Sequence, residues 1–335
     1  MPAGRGRRYN ARMKVRCEIC PKLCLIGPGQ SGDCRIRVNL DGTLRAVTYG
    51  YPSAVNVDPV EKKPLNHFLP GSSTFSIATV GCNLHCKNCQ NWEISQQNPE
   101  DATATELPPE AIPALAQRYG CRSVSYTYTD PVVYYEYALD SCIQSHNAGL
   151  KNILVTAGYI NEKPMRELYR HVDAAHIDLK SMSEAFYRDV CGATLKPVLS
   201  CLVGAKSLGV LVEVTHLLIP TLNDADEDVR ALCRWLKENM GRETPLHILR
   251  FFPQHRMQHL PPTPATTLRR ARDIAREAGL DFVYVGNILE EDAANTFCPS
   301  CRALLVERRG YTVLRNDVTE GRCPKCRTEI YGLWK

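Results

Sequence analysis

Three cysteines in one short run, Gly81-Cys82-Asn83-Leu84-His85-Cys86-Lys87-Asn88-Cys89, are the residues of this chain best spaced for metal-centred redox chemistry. Three residues separate the first pair and two the second. The run follows an apolar, strand-like stretch, Phe75-Ser76-Ile77-Ala78-Thr79-Val80. A cubane iron–sulfur cluster has four irons, each taking a thiolate, so a loop that offers three leaves one iron with open coordination. That iron can bind a substrate or a cofactor.

Two further cysteine groups flank this run. Cys298-Pro299-Ser300-Cys301 and Cys323-Pro324-Lys325-Cys326 are two knuckles 21 residues apart. Paired thiolate turns joined by a hairpin, here Leu304 to Glu307 and Tyr311 to Leu314 turning at Arg309-Gly310, suit a tetrahedral four-sulfur site. Zinc is the usual occupant and a single iron the alternative. Glycine usually continues such a knuckle, whereas Arg302 and Arg327 stand here, so the turn geometry is expected to weaken without loss of a ligand. Upstream, Cys17, Cys20 and Cys24, with Cys34 after Gly27, Gly29 and Gly32, supply four ligands from one short segment. Zinc or an auxiliary iron–sulfur cluster fits, and spacing does not separate them. Four filled positions leave none for chemistry, which favours a structural or electron-relay role. Cys121, Cys142, Cys191, Cys201 and Cys233 read as ordinary core cysteines, with Cys191, beside Gly192, the one to keep in view.

The elements that must position these groups are legible as an alternation. Strands are expected over Ser123 to Tyr128, Asn152 to Ala157, Ala174 to Leu179, Leu211 to Ile219, Leu246 to Phe252 and Phe282 to Val285. Helices are expected over Pro109 to Tyr119, Pro131 to His146, Pro164 to His171, Pro197 to Leu208, Ala225 to Asn239 and Thr266 to Ala278. Several helices open with proline, whose missing amide costs nothing in the first turn. Repeated strand-helix units give a parallel sheet with right-handed crossovers, hence an open or closed barrel. In such barrels chemistry sits at the carboxyl ends of the strands, and the polar motifs fall there: the cysteine run, Thr127 to Asp130, Thr156 to Tyr159, Asp178 to Lys180, Pro220 to Asp224 and Pro253 to His255.

At 335 residues, 44% hydrophobic and 23% charged, the composition is that of an ordinary globular protein. No run approaches the roughly 18 apolar residues of a membrane span. The first sixteen residues are basic but lack the apolar stretch of a secretory signal, so they read as a disordered, solvated arm. A net charge of +5 names no partner, and aromatics at 7% form no basic-aromatic stripe for stacking bases, so nucleic acid is not expected. Sixteen cysteines in close pairs and triads favour metals over disulfides and a reducing, cytoplasmic setting.

The chain resembles the radical SAM enzymes of the AmmeMemoRadiSam system, relatives of the activating enzyme of pyruvate formate-lyase. The resemblance rests on Asp58-Pro59-Val60-Glu61-Lys62-Lys63-Pro64-Leu65, His67-Phe68-Leu69-Pro70-Gly71 and Cys89-Gln90-Asn91-Trp92-Glu93-Ile94-Ser95-Gln96. It implies a 4Fe-4S cluster on Cys82, Cys86 and Cys89 whose open iron chelates S-adenosylmethionine (SAM). It also implies reductive cleavage of SAM to methionine and a 5'-deoxyadenosyl radical, which abstracts hydrogen from a substrate. The implied cofactor-binding residues are Asn88, standing where an aromatic is common; Asp130, meeting the SAM amino group; Thr156; Asp178 and Lys180, the latter pairing with the methionine carboxylate; and His255. Thr221 stands where glycine is usual, so the loop before Asn223-Asp224 is expected to differ. Implied partners are an electron donor such as flavodoxin or ferredoxin and two companion proteins of the system.

The expected architecture is a partial (β/α)6-type TIM barrel, the radical SAM core, over 71–295. A disordered arm (1–16) and a Cys-rich module (17–70) precede it, and a zinc-ribbon-like module (296–335) follows. The substrate is open, a protein or peptide among the candidates. The rivals are a glycyl-radical enzyme activase and, from another class, a multi-metal protein that docks protein or nucleic acid without catalysis.

Overall fold

Short apolar runs form strands where both faces are covered, and they then read as continuous rather than alternating patterns. In the computed structural model, which describes residues 13–288, 290 and 292–335, Ser123–Tyr126 is buried at all four positions.

The N-terminal segment forms two small hairpins, β1 (Val15–Arg16) with β2 (Leu25–Ile26) and β3 (Arg37–Leu40) with β4 (Thr43–Ala46). β5 (Ala54–Pro59) and β6 (Ser73–Ala78) follow, and the cysteine loop after β6 runs into one helical turn, α1 (Trp92–Ser95). The alternation continues as α2 (Ile112–Arg118), β7 (Ser123–Tyr126), α3 (Tyr135–Asn147), β8 (Lys151–Thr156), α4 (Glu162–Tyr169) and β9 (Ala174–Asp178). Next come α5 (Glu184–Phe186), a π-helical turn Tyr187–Cys191, α6 (Leu195–Ser207), β10 (Leu211–Leu218), α7 (Asp226–Met240), β11 (Leu246–Arg250), α8 (Ala265–Glu277) and β12 (Val283–Gly286). β13 (Thr296–Phe297), β14 (Leu304–Arg309) and β15 (Thr312–Asn316) make a separate antiparallel sheet.

The main sheet has eight strands in the order β12-β11-β10-β9-β8-β7-β6-β5. β6 to β12 are parallel and β5 is antiparallel to β6. β5 and β12 lie at opposite edges, so the barrel is open, as expected. The crossover helices bury one stripe. In α7 this is Val229, Leu232, Cys233, Leu236 and Met240, with Asp226, Glu227 and Asp228 in the first turn, where the helix dipole favours them.

Two expectations are corrected. Ala54–Pro59, assigned to the Cys-rich module at 17–70, is the edge strand of the main sheet; Val55 and Val57 are exposed, so no buried face marks it in the sequence. The arm at 1–16 is too long at its carboxyl end, because Val15 and Arg16 pair with Ile26 and Leu25. Residues 1–12 of it lie outside the described residues. Among the described residues no helix is long and apolar enough to cross a membrane.

Candidate active site

β6 delivers the cysteine loop through Gly81, whose φ is +89° and where an added Cβ would lie 2.6 Å from the Cys34 carbonyl oxygen. Only glycine allows both the angle and the approach. Backbone bonds then shape the loop: the His85 amide donates to the Cys191 carbonyl (2.8 Å), Lys87 to Val190 (2.9 Å), and Arg256 to the Lys87 carbonyl (2.9 Å).

Cys82, Cys86 and Cys89 are free, partly exposed thiols lining one cavity of about 1730 Å³. Asn88, Asp130, Thr156, Asp178 and Lys180 line the same cavity, so the strand-end motifs of β7, β8 and β9 converge with the loop. The three sulfurs are not gathered as the ligands of one ion would be. A cubane takes each thiolate on a separate iron and does not require them to be so gathered. Burial raises the Cys82 and Cys89 thiols, while contact with Cys191, helped by Lys180, lowers Cys86 to about 7 against its burial. A metal held here would have to displace a proton from Cys82 and Cys89.

Lys180 Nζ donates to Asp178 Oδ2 at 2.6 Å, and His176 Nε2 lies 3.1 Å from Asp178 Oδ1. Burial opposes the charge on both Lys180 and Asp178, yet their attraction outweighs it: the carboxyl is held below its usual range and the ammonium above. Asp130 accepts from the Val132 amide (3.1 Å), the Ala157 amide (2.9 Å) and Thr156 Oγ1 (2.9 Å). It thus ties the tip of β7 to that of β8, with the local cap to Val132 included. Asn88 keeps a buried Oδ1 without a partner. His255 is not brought to the cavity wall; it stacks on Trp92 with ring centroids 5.2 Å apart.

Several neighbours were given no role by the sequence. Lys63, 2% exposed, donates to Asp58 at 2.6 Å, and Tyr128 OH donates to the same carboxylate from a left-handed backbone (φ 63°). Burial, partly offset by Asp58, lowers Lys63 to about 8. Glu213, wholly buried in β10, accepts from His247 Nε2 at 2.6 Å and from the His67 amide at 2.7 Å. A glutamate inside a buried strand was the available signal, since such a charge must be paired. The C-terminal hairpin also reaches the cavity through Glu307, Arg308, Arg309, Tyr311 and Leu314.

Cys298, Cys301, Cys323 and Cys326 have all four sulfurs within 4.8 Å of one another, with Cys298–Cys326 at 3.5 Å and Cys301–Cys323 at 3.6 Å. Arg302 and Arg327 take positive φ (59° and 62°), and each amide donates to the first cysteine of its knuckle at 3.0 Å. The expected weakening is absent: arginine adopts the turn that glycine usually fills. Thr221 behaves likewise (φ 68°), held by its amide bond to Asp224 Oδ1 at 2.8 Å, so the loop keeps its left-handed turn.

An open parallel α/β barrel with a three-cysteine loop at its carboxyl end defines a class, and the comparisons agree with it. The radical SAM superfamily model matches residues 76–236. An uncharacterised protein of Methanocaldococcus jannaschii is 44% identical over 319 residues, 95% of each chain. The pyruvate formate-lyase-activating enzyme of Clostridium pasteurianum is 26% identical over 163 residues, 47% of this chain and 66% of its own. The crystal structure of a radical SAM methyltransferase from Sphaerobacter thermophilus shares the fold, with a TM-score of 0.51 at 15% identity over 65% of this chain and 67% of that one. The likeness to the radical SAM superfamily covers residues 76–236, and the fold agrees with it.

Proposed function

We propose that this protein is a radical SAM enzyme of the AmmeMemoRadiSam type, with a 4Fe-4S cluster on Cys82, Cys86 and Cys89 and a protein or peptide as substrate. The observation that carries the reading is the convergence of three free cysteines and the Lys180–Asp178 pair on one cavity at the ends of parallel strands. When bound, the cluster and SAM supply one-electron cleavage of a carbon–sulfur bond and a 5'-deoxyadenosyl radical for hydrogen abstraction.

The chain's own residues bind and orient. Lys180, held in place by Asp178, donates to the methionyl carboxylate through a charge-assisted hydrogen bond. Asn88 Oδ1 accepts from the cofactor, ending its lack of a partner. Asp130 and Thr156, already bonded to each other, fix the cavity wall against which SAM lies. The cavity exceeds the roughly 300–1000 Å³ of a small-molecule site, which supports a large substrate beside SAM. The four C-terminal cysteines hold zinc as a structural staple. A low-potential donor of the flavodoxin or ferredoxin kind supplies the electron, and the two companion proteins of the system are partners. Kinship to the pyruvate formate-lyase-activating enzyme favours a second reading, activation of a glycyl-radical partner.

Anaerobic reconstitution with iron and sulfide, reduction, and a 5'-deoxyadenosine assay test the reading. Product that disappears in the Cys82→Ala/Cys86→Ala/Cys89→Ala variant supports it; a native chain that binds no SAM refutes it.

A further inference from the structure

We infer that Cys17, Cys20, Cys24 and Cys34 hold a second iron–sulfur cluster, fully ligated by thiolates, whose pocket shares a wall with the loop of the first.

The local chain is built to present four sulfurs to one space. β1 and β2 set Cys17 opposite Cys24, with the Cys17 amide donating to the Cys24 carbonyl at 2.8 Å. Leu23, in a left-handed conformation, closes the turn after Cys20, and Arg35, also left-handed, closes the one that carries Cys34. All four cysteines line a single small cavity of about 20 Å³, walled by Ile19, Ile26, Val132 and Val133.

The spacing sets the N-terminal four apart from a gathered single-ion site. A single zinc holds each sulfur about 2.3 Å away and so draws all four within about 4 Å of one another. The C-terminal cysteines show that arrangement, with sulfur pairs at 3.5 and 3.6 Å. Among the described residues they are the one group of three or more ligands so gathered, and the N-terminal four are not. A cubane places each thiolate on its own iron and needs the wider spread.

The surroundings suit an anionic, sulfur-rich occupant. The Asp33 amide donates to Cys24 Sγ at 3.4 Å, the Lys22 amide and the Asn83 side chain address Cys20, and the Ile36 and Arg37 amides address Cys34. Amide donors to ligating sulfurs orient them and tune a cluster. Arg37, 5% exposed, also lines the cavity. Its two terminal nitrogens bind Glu136 at 2.6 and 2.8 Å, while its Nε–H is buried without a partner. A buried cationic donor left unpaired is costly, and a thiolate or bridging sulfide in the cavity satisfies it.

The pocket abuts the first cluster's loop. Asn83, lying between Cys82 and Cys86, is 1% exposed and lines this cavity. Asp33 bonds to His85 at 2.8 Å, and the Cys34 carbonyl packs where Gly81 lacks a side chain. Two clusters joined through one short loop make the N-terminal module part of the redox unit.

The test is iron, sulfide and zinc analysis with Mössbauer and electron paramagnetic resonance spectra on the full chain, reconstituted without oxygen. The Cys82→Ala/Cys86→Ala/Cys89→Ala variant is expected to keep about four irons and four sulfides, with a reduced-state signal that SAM leaves unchanged. In the otherwise native chain, Cys24→Ser/Cys34→Ser is expected to lose about half the cluster iron and to keep the SAM-responsive signal. A triple variant that binds no cluster iron, whether it carries an extra zinc or four thiols free to react, overturns the inference. Loss of the SAM-responsive signal from the native chain would instead count against the function proposed for Cys82, Cys86 and Cys89, so the two failures are distinct.

Discussion

The His85 amide donates to the Cys191 carbonyl at 2.8 Å, which pins the middle of the cysteine loop to the π-helical turn Tyr187–Cys191. Gly192 then ends that turn at φ 64°, and the Cys191 thiol meets Cys86. Because the pinning bond uses backbone, Cys191→Ala preserves it. Iron content should match the native chain, with SAM cleavage reduced less than about tenfold, the scale of one neutral hydrogen bond. Cys86→Ala should lose both. Loss of the cluster from Cys191→Ala would mean that Cys191 is itself a ligand.

Lys180 faces the cavity with its ammonium 2.6 Å from Asp178. Lys180→Met keeps the length of the side chain and removes the charge. A lost charge-assisted hydrogen bond is worth about 1.5–3 kcal/mol, so SAM affinity should fall about 10- to 100-fold in anaerobic equilibrium dialysis. The same affinity in the variant would exclude a contact between Lys180 and the methionyl carboxylate.

Much of the fold was legible because β7 to β12 are short, mostly buried runs rich in apolar residues, separated by helices with one buried stripe. The strand-end position of Cys82, Asp130, Thr156, Asp178 and Lys180 followed from that alternation. β5 was not legible, since an edge strand with exposed Val55 and Val57 shows neither a buried run nor a clean alternation. Nor could spacing reveal that Cys191 meets Cys86, or that Arg308 of β14 donates to the Asn66 carbonyl at 2.6 Å. Those contacts join segments more than 100 residues apart, and nothing local encodes them. The positive φ of Thr221, Arg302 and Arg327 escaped for the opposite reason: neighbouring hydrogen bonds override the local preference for glycine.

Thr221 is β-branched at φ 68°, a conformation costing about 1–3 kcal/mol. Thr221→Gly relieves that strain and loses part of the gain to unfolded-state entropy. A net stabilisation of about 1 kcal/mol is expected, read as a raised denaturation midpoint in the metal-loaded protein. A lowered midpoint would show that the threonine side chain contributes more than its backbone costs.

The C-terminal sheet packs around a small core of Phe282, Tyr284, Leu305, Val306 and Ile330 with Cys298 and Cys323. So few apolar side chains rarely hold a module without a staple. Cys301→Ser/Cys326→Ser alters only the two exposed ligands. It should release the metal and make residues 296–335 the first site of limited proteolysis, while the 4Fe-4S content of the core is kept. A variant that resists protease as the native chain does would show the hairpin standing without metal.

His67 links the core to the chain's end and makes stability fall in acid. It is wholly buried: its amide donates to Glu213, its Nδ1 lies 2.5 Å from the Tyr331 carbonyl and its Nε2 2.6 Å from Tyr284 OH. A carbonyl only accepts, so Nδ1 carries the proton and Nε2 accepts from the tyrosine. Burial is the main reason the imidazole is lowered to about 4, with Arg308 and His247 acting in the same sense and Glu213 and the Tyr331 carbonyl opposing. The folded value lies below the unfolded one, near 6.5, so as pH falls below about 6.5 the unfolded chain takes up a proton that the folded chain refuses. Stability from this residue is full above that pH and is lost as pH falls toward about 4, amounting to about 2 kcal/mol between pH 7 and 5. His67→Asn keeps a donor toward Tyr331 and removes the titration. It should be less stable than the native chain at pH 7, yet the gap in denaturant midpoint should narrow by the equivalent of about 2 kcal/mol at pH 5. A gap of equal size at both pH values would mean that the folded protein protonates the imidazole as readily as the unfolded chain does.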